Sequence, residues 1–278
     1  MLIDLLRDLV AIDSVNPDLA PGARGEAEIA SHCADWMRRA GFDVELQEAA
    51  PGRPNAIGVI EGSTPGPTLM FCGHIDTVGV AGMAAPFTPE VRNGRLYGRG
   101  SQDMKGGVAA MMDAARRASD HWTTGRLIVA CVCDEEYESL GAQALVRTWT
   151  ADAAVVTEPT GLAIAVTHKG FAWIDIETRG RAAHGSRPAD GRDAILRMGR
   201  VLARLESLNA DLAGRDADPL TGPPSLHASI ISGGREWSSY PDRCGLKVER
   251  RTVAGETEAL VMAEIDAIVR SLKAADPE

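Results

Sequence analysis

Residues 127–133 read LIVACVC, an unbroken apolar run followed at once by Asp134, Glu135 and Glu136. A run this short and this apolar predicts a strand buried on both faces, which must lie in a sheet covered by helices on either side. The segments around it supply those layers. Leu2, Leu5, Leu6, Leu9 and Val10 repeat at helical spacing before Asn16-Pro17 closes the segment. A second helix is expected over 26–40, with Ile29, Cys33, Trp36, Met37 and Ala40 on one stripe and Gly41 as its stop. Strands are expected at 44–46, 56–60, 68–72 and 154–157, with a helix at 104–118. This alternation predicts an α/β fold, an α/β/α sandwich around a mostly parallel sheet.

The pattern changes near residue 165. Ala172, Ile174 and Ile176 alternate with period two, and a helix over 193–208 carries Ile195, Met198, Val201, Leu202 and Leu205 on its apolar side. Strands at 226–231 and 246–252 and a helix at 256–272 complete a β-α-β-β-α order, a ferredoxin-like α+β unit without its last strand. The expected domains are therefore 1–165 and 166–278, with 211–224 as a polar loop between elements.

Composition narrows the class of partner. The formal net charge is −10, whereas nucleic acid or an anionic membrane calls for a basic face. The apolar run at 127–133 is far short of the ~20 residues of a membrane span. The N-terminus lacks the basic stretch of a signal peptide, and five cysteines with no CxxC suit reduced thiols, so a cytoplasmic location is expected.

Acids and one histidine gather where predicted strands end, the usual place for sites in open α/β sheets. In an extended His74-Ile75-Asp76, the two polar side chains project to one side. Asp76 can then orient the imidazole whose other nitrogen meets a metal. The glycines of segment 97–107 match neither a P-loop nor a dinucleotide fingerprint, which leaves Asp103 before a helix as either an N-cap or a ligand. Glu135 and Glu136, if extended, point to opposite faces, so one can bind a metal while the other takes a proton from metal-bound water; the alternative is a solvated acidic loop. Glu158 follows another strand, as a ligand or as an ordinary loop residue. One histidine with several carboxylates suits Zn²⁺, Co²⁺ or Mn²⁺. No GxSxG elbow is present, and Cys131 and Cys133 read as buried strand residues rather than nucleophiles.

Taken in order, His74-Ile75-Asp76, Gly98-Arg99-Gly100 through Asp103-Met104-Lys105-Gly106, Asp134-Glu135-Glu136 and Glu158-Pro159 resemble the successive motifs of one metallopeptidase family. It is the family of acetylornithine deacetylase, succinyl-diaminopimelate desuccinylase, aminoacylase and glutamate carboxypeptidase. The resemblance runs across nearly the whole chain. It implies a zinc pair bridged by Asp103, with His74 and Glu158 completing one metal and Glu136 on the other, Glu135 as general base and Asp76 orienting His74. It also implies that the second domain is a ferredoxin-like lid inserted into the catalytic domain, through which the chain forms a homodimer. Arg181 to Ser186 resembles the lid motif whose histidine, here His184, steadies the oxyanion. Gly233-Gly234, Pro241 and Arg250-Arg251 resemble the region that holds a substrate carboxylate. Arg251 is the better match by spacing, and Ser238 stands where the family usually has asparagine.

Members of that family continue beyond the lid with a part that supplies a final histidine ligand, whereas this sequence ends at Glu278. None of His32, His121, His168 or His227 lies in that motif's context, so the expected second metal site has Asp103 and Glu136 as its protein ligands. The expected function is metal-dependent hydrolysis of the amide bond of N-acyl amino acids or small peptides by activated water. The alternative is a truncated, catalytically impaired remnant that binds one metal or an amino-acid ligand without turnover.

Overall fold

A computed structural model describes residues 2–276; Met1, Pro277 and Glu278, at the outer ends of the two expected domains, lie outside the described residues. The chain separates into two compact units, Met1–Ala163 and Ile164–Glu278.

The first unit holds α1 (Leu2–Ala11), α2 (Ala27–Arg39), β1 (Asp43–Ala50), β2 (Arg53–Glu61), β3 (Thr64–His74), the short pair β4 (Glu90–Arg92) and β5 (Arg95–Tyr97), α3 (Lys105–Ser119), β6 (Thr124–Val132), α4 (Leu140–Thr148) and β7 (Ala153–Val156). Its main sheet has the order β1-β2-β6-β3-β7. β6, β3 and β7 pair in parallel, and β2 opposes both β6 and β1, so all strands but β2 share one direction. The apolar run predicted to be buried on both faces is β6. Leu127, Val129 and Cys131 join the core under α1, α2 and α3, while Ile128, Ala130 and Val132 join the opposite core with Leu145 of α4. Period two along residues 127–132 thus feeds two cores, and no position in that run is left for a polar side chain. Helix α4 and the β4–β5 hairpin had no sequence signal. Both are short, and α4 presents only Gly141 and Leu145 to the interior.

The second unit runs β8 (Gly170–Arg179), α5 (Ala194–Ala213), β9 (Ser225–Gly233), β10 (Arg243–Thr252) and α6 (Glu258–Ala275). β10 lies antiparallel between β8 and β9, the order a split β-α-β unit produces. Asp193 caps α5 by accepting the Leu196 N–H at 2.9 Å, and Thr257 caps α6 through the Leu260 N–H at 3.3 Å. Helix α5 extends to Ala213, past the start of the expected 211–224 loop, because Leu212 still reaches the core.

All five cysteines are free and none is exposed, and burial pushes the Cys72 thiol up to about 11 and the Cys133 thiol up to about 12. No helix among the described residues is long and apolar enough to cross a membrane.

Candidate metal centre

The parallel run β6-β3-β7 places three strand ends side by side. His74 is the last residue of β3 and pairs with Val132, the last of β6, while Cys72 pairs with Val156, the last of β7. Residues just beyond those ends, Asp134 to Glu136 and Glu158, are therefore held near His74 by strand spacing alone. Asp103 arrives from the turn that opens α3; its peptide bond to Met104 is cis. Asp103 does not cap that helix: the N-cap position is Met104 and takes no side-chain bond.

The His74 ring is buried and contacted on both nitrogens. Nδ1 lies 3.0 Å from the Asp76 carbonyl oxygen and 3.4 Å from Asp76 Oδ1. A carbonyl oxygen only accepts, so Nδ1 carries a proton and Nε2 is the ligating nitrogen of the neutral ring. Around Nε2 stand Asp103 Oδ1 at 3.0 Å, Glu158 Oε1 at 3.7 Å and Glu135 Oε2 at 3.8 Å. His74, Asp103 and Glu158 offer atoms all within 4.8 Å of one another.

The electrostatics of this cluster call for positive charge. Burial draws the His74 pKa down, but the Asp103 and Asp76 hydrogen bonds and the Asp76 and Glu135 charges outweigh it and lift the pKa to about 11. Glu136 is pushed up to about 7, by burial first and then by the charges of Asp103, Asp76 and Glu135, against the pull of His74. Burial and the charges of Asp103 and Glu135 also raise Glu158, again against His74. With Glu136 and Glu158 raised and Asp103 held low by the hydrogen bond to His74, the cluster carries more acid than one imidazole balances, and an imidazole-plus-carboxylate donor set fits a divalent transition metal.

The acid pair does not sit in an extended stretch, as the sequence reading supposed. Asp134 adopts a left-handed φ of +61° and the chain then turns. Its carboxylate accepts the N–H groups of Glu138 at 3.3 Å and Leu140 at 3.2 Å, folding the loop around itself. Both acidic residues point their amides at one acceptor: Glu135 N–H donates to Asp76 Oδ1 at 3.0 Å and Glu136 N–H to Asp76 Oδ2 at 3.1 Å. A turn wins over extension because it satisfies these buried donors. Asp76 thus grips the acid pair as well as His74.

Sequence reasoning found Asp76 but not the residues that surround it behind this centre. Glu26, Asp76 and Asp134 form a second, fully buried acidic group, but donors already fill it. Arg53 pairs with Glu26, with Asp18 and, at 3.0 Å, with Asp134, and Asn16 bridges Asp76 and Asp134. The sequence pattern marks Asn16 only as the close of a helix, and Arg53 carries no signal, since its partners lie far away in sequence. The glycines after Lys105 also acquire a role. A Cβ on Gly107 would stand 2.1 Å from the Thr157 carbonyl oxygen, so only glycine lets α3 approach the segment that carries Glu158.

In the second unit, His184 is exposed and pairs in a bridge with Ser239. Its Nδ1 accepts the Ser186 N–H at 3.2 Å, which puts the neutral ring's proton on Nε2. Ser238 contributes its carbonyl oxygen to the Gly185 N–H at 2.6 Å. Gly233 ends β9, and Gly234 has a φ of +77°. Arg250 and Arg251 separate cleanly. Arg250 is wholly buried against Glu256 and Glu264, whereas Arg251 is part-exposed, paired with Glu249 and placed 5.3 Å over the Phe171 ring.

Comparison with known proteins supplies the family. An acetylornithine deacetylase of Myxococcus xanthus is 31% identical over 98% of this chain and 72% of its own length. Human carnosine dipeptidase 1 superposes with a TM-score of 0.74 at 17% identity, over all of this chain and 75% of that one. A Bacillus subtilis protein described as a dinuclear metal binding peptidase gives 0.63 at 15% identity, over 99% and 70%. The sequence model for peptidase family M20/M25/M40 matches residues 70–275, a span that contains His74, Asp103, Glu135, Glu136 and Glu158, and the chain belongs to that family.

Proposed function

We propose that this chain is a metal-dependent amidohydrolase that cleaves the amide bond of N-acyl amino acids or small peptides. The observation that carries the reading is the convergence of Asp103, Glu135 and Glu158 on the Nε2 of a single buried histidine. The family assignment and the acetylornithine deacetylase relative support it. His74 and Glu158 would hold one divalent ion, Asp103 would bridge, and Glu136 would serve the second; zinc is the first choice, with cobalt or manganese as substitutes. Bound there, the metal supplies Lewis-acid polarisation of the scissile carbonyl and acidifies water.

The chain's own residues do the rest. Asp76 keeps the Nδ1 proton on His74 and so presents Nε2 as a donor. Glu135, the more exposed member of the acid pair, takes the proton from the attacking water and returns it to the leaving amine. His184, with its Nε2 proton, donates to the developing oxyanion. Arg251 holds the substrate carboxylate as an exposed guanidinium can, while Gly233, Gly234 and Ser238 lie toward the opposite end of β10, on the side of His184, and line the substrate there. The second unit acts as the lid and as the contact of a homodimer.

The test is a metal titration joined to a substrate screen. Two metal equivalents per chain, and hydrolysis of an N-acetyl or N-succinyl amino acid or a dipeptide, are expected. Glu135→Gln should lower kcat by about 10³-fold at unchanged metal content. Loss of metal in that variant would make Glu135 a ligand, and a metal-loaded wild type that cleaves no amide would sink the reading.

A further inference from the structure

Asn16 is fully buried and lies just after α1. Its backbone runs beside the segment that follows His74: the Asn16 N–H donates to the Thr77 carbonyl at 2.9 Å and the Thr77 N–H donates to Ser14 at 3.0 Å. Every polar atom of its side chain is used. Nδ2 donates to Asp76 Oδ2 at 2.8 Å and to Asp134 Oδ1 at 2.9 Å, and Oδ1 accepts the Asp18 N–H at 3.0 Å. Two carboxylates on one side and an N–H on the other fix which way the amide faces. Without it, Asp76 and Asp134 would present oxygens to one another across a distance of under 4.8 Å, a repulsive arrangement in a buried setting. The two hydrogens of one NH₂ group turn that repulsion into a bridge.

These two carboxylates are the ones that hold the acid pair. Asp76 takes the amides of Glu135 and Glu136 and stands against His74, while Asp134 folds the loop that follows. We propose that Asn16 is a positioning residue: by clamping Asp76 to Asp134 it sets the spacing between the His74 imidazole and the Glu135-Glu136 turn. Its effect on turnover rests on the hydrolase reading above; its effect on the turn does not. A serine at this position has one hydrogen on a shorter arm and reaches one carboxylate at most. An aspartate has the same shape and only repels.

The experiment compares wild type, Asn16→Ser and Asn16→Asp. In the metal-free protein, amide exchange followed by NMR should show the Glu135 and Glu136 N–H groups exchanging about tenfold faster or more in Asn16→Ser, with amides inside α3 and β6 unchanged. In the metal-loaded protein, kcat should fall by about 10- to 100-fold with KM within about threefold, because misplacing a catalytic group by an ångström has that scale of effect. Asn16→Asp should go further in the same direction; if it does not fold, the serine variant carries the test. Wild-type exchange at Glu135 and Glu136 in Asn16→Ser would overturn the proposal, and so would a uniform loss of protection across the whole first unit, which marks general support. A wild type that binds metal yet hydrolyses nothing would remove the hydrolase reading, and the exchange data would still decide the clamp.

Discussion

Arg53 in the first unit and Arg250 in the second are both buried and both paired with carboxylates, yet their surroundings are composed differently. Around Arg250 stand Glu256 at 2.7 Å and Glu264 at 3.1 Å, and Arg215 faces the same two acids from outside, at 3.3 and 2.7 Å. Charge is matched there, two against two. Arg53 meets Asp18, Glu26 and Asp134, and beyond Asn16 lies Asp76; past His74 come Asp103, Glu135 and Glu158. Negative charge outruns positive charge along the whole line. A closed cluster of the first kind fixes a fold, whereas an open one leaves a place for a cation. That difference separates structure from chemistry here more sharply than burial does, since both arginines are buried.

Removing each arginine tests the contrast most severely. Arg53→Met leaves buried carboxylates with no guanidinium and should destabilise the first unit by about 3–5 kcal/mol. Arg250→Met should cost the second unit clearly less, because Arg215 still faces Glu256 and Glu264. Urea unfolding, with the units followed separately by hydrogen exchange, reads both numbers. Equal losses would mean that the two clusters do the same work and that charge imbalance has no structural weight.

Gly107→Ala addresses the edge of the open cluster. The added methyl meets the Thr157 backbone at 2.1 Å, so α3 and the Thr157–Glu158 segment must move apart, which displaces Glu158 from its place beside His74. A loss of about 1–3 kcal/mol in stability, with metal affinity weakened by about tenfold or more, is the expected result. Unchanged metal affinity in a folded variant would show that Glu158 is dispensable to the centre.

How much of this was legible beforehand follows from the distance over which each signal acts. The strands and helices around β6 were readable because period two and period 3.6 are local, and His74, Asp103, Glu135 and Glu158 stood at strand ends and loops that the pattern located. Their convergence on one nitrogen depends on the β6-β3-β7 adjacency, which periodicity does not encode; the family resemblance implied it instead. Asn16 and Arg53 were not legible as site residues. Asn16 meets partners 60 and 118 positions away, and beside Pro17 it has an adequate local explanation as the end of a helix. The Asp134 turn was misread for a related reason: its extended alternative loses only when Asp76 is on hand to accept the Glu135 and Glu136 amides.

The contrast extends to pH, where its sign differs between the clusters. In the metal-free first unit, His74 has its folded pKa raised from 6.5 to about 11, so its contribution is complete below 6.5 and is lost as pH rises through about 11. Glu136, raised from 4.5 to about 7, favours its neutral form and also loses its contribution as pH climbs, between 4.5 and about 7. In the second unit Glu256 is moved the other way. Burial raises it, but the Arg250 hydrogen bond, the Val253 N–H and the charges of Arg250 and Arg215 hold it below 4.5, so its contribution is present above that value and lost only in acid. Between about pH 5 and pH 9 the metal-free first unit should therefore soften while the second stays level. His74 carries most of this change, and Glu136 adds less, since it is only half-buried and water screens part of its interaction. Saturating metal should flatten the first unit's slope, because a bound cation takes over the role of the protons on His74 and Glu136. Exchange rates measured unit by unit across that range, with and without metal, decide it: a slope that metal leaves untouched would place the titrating groups outside the centre.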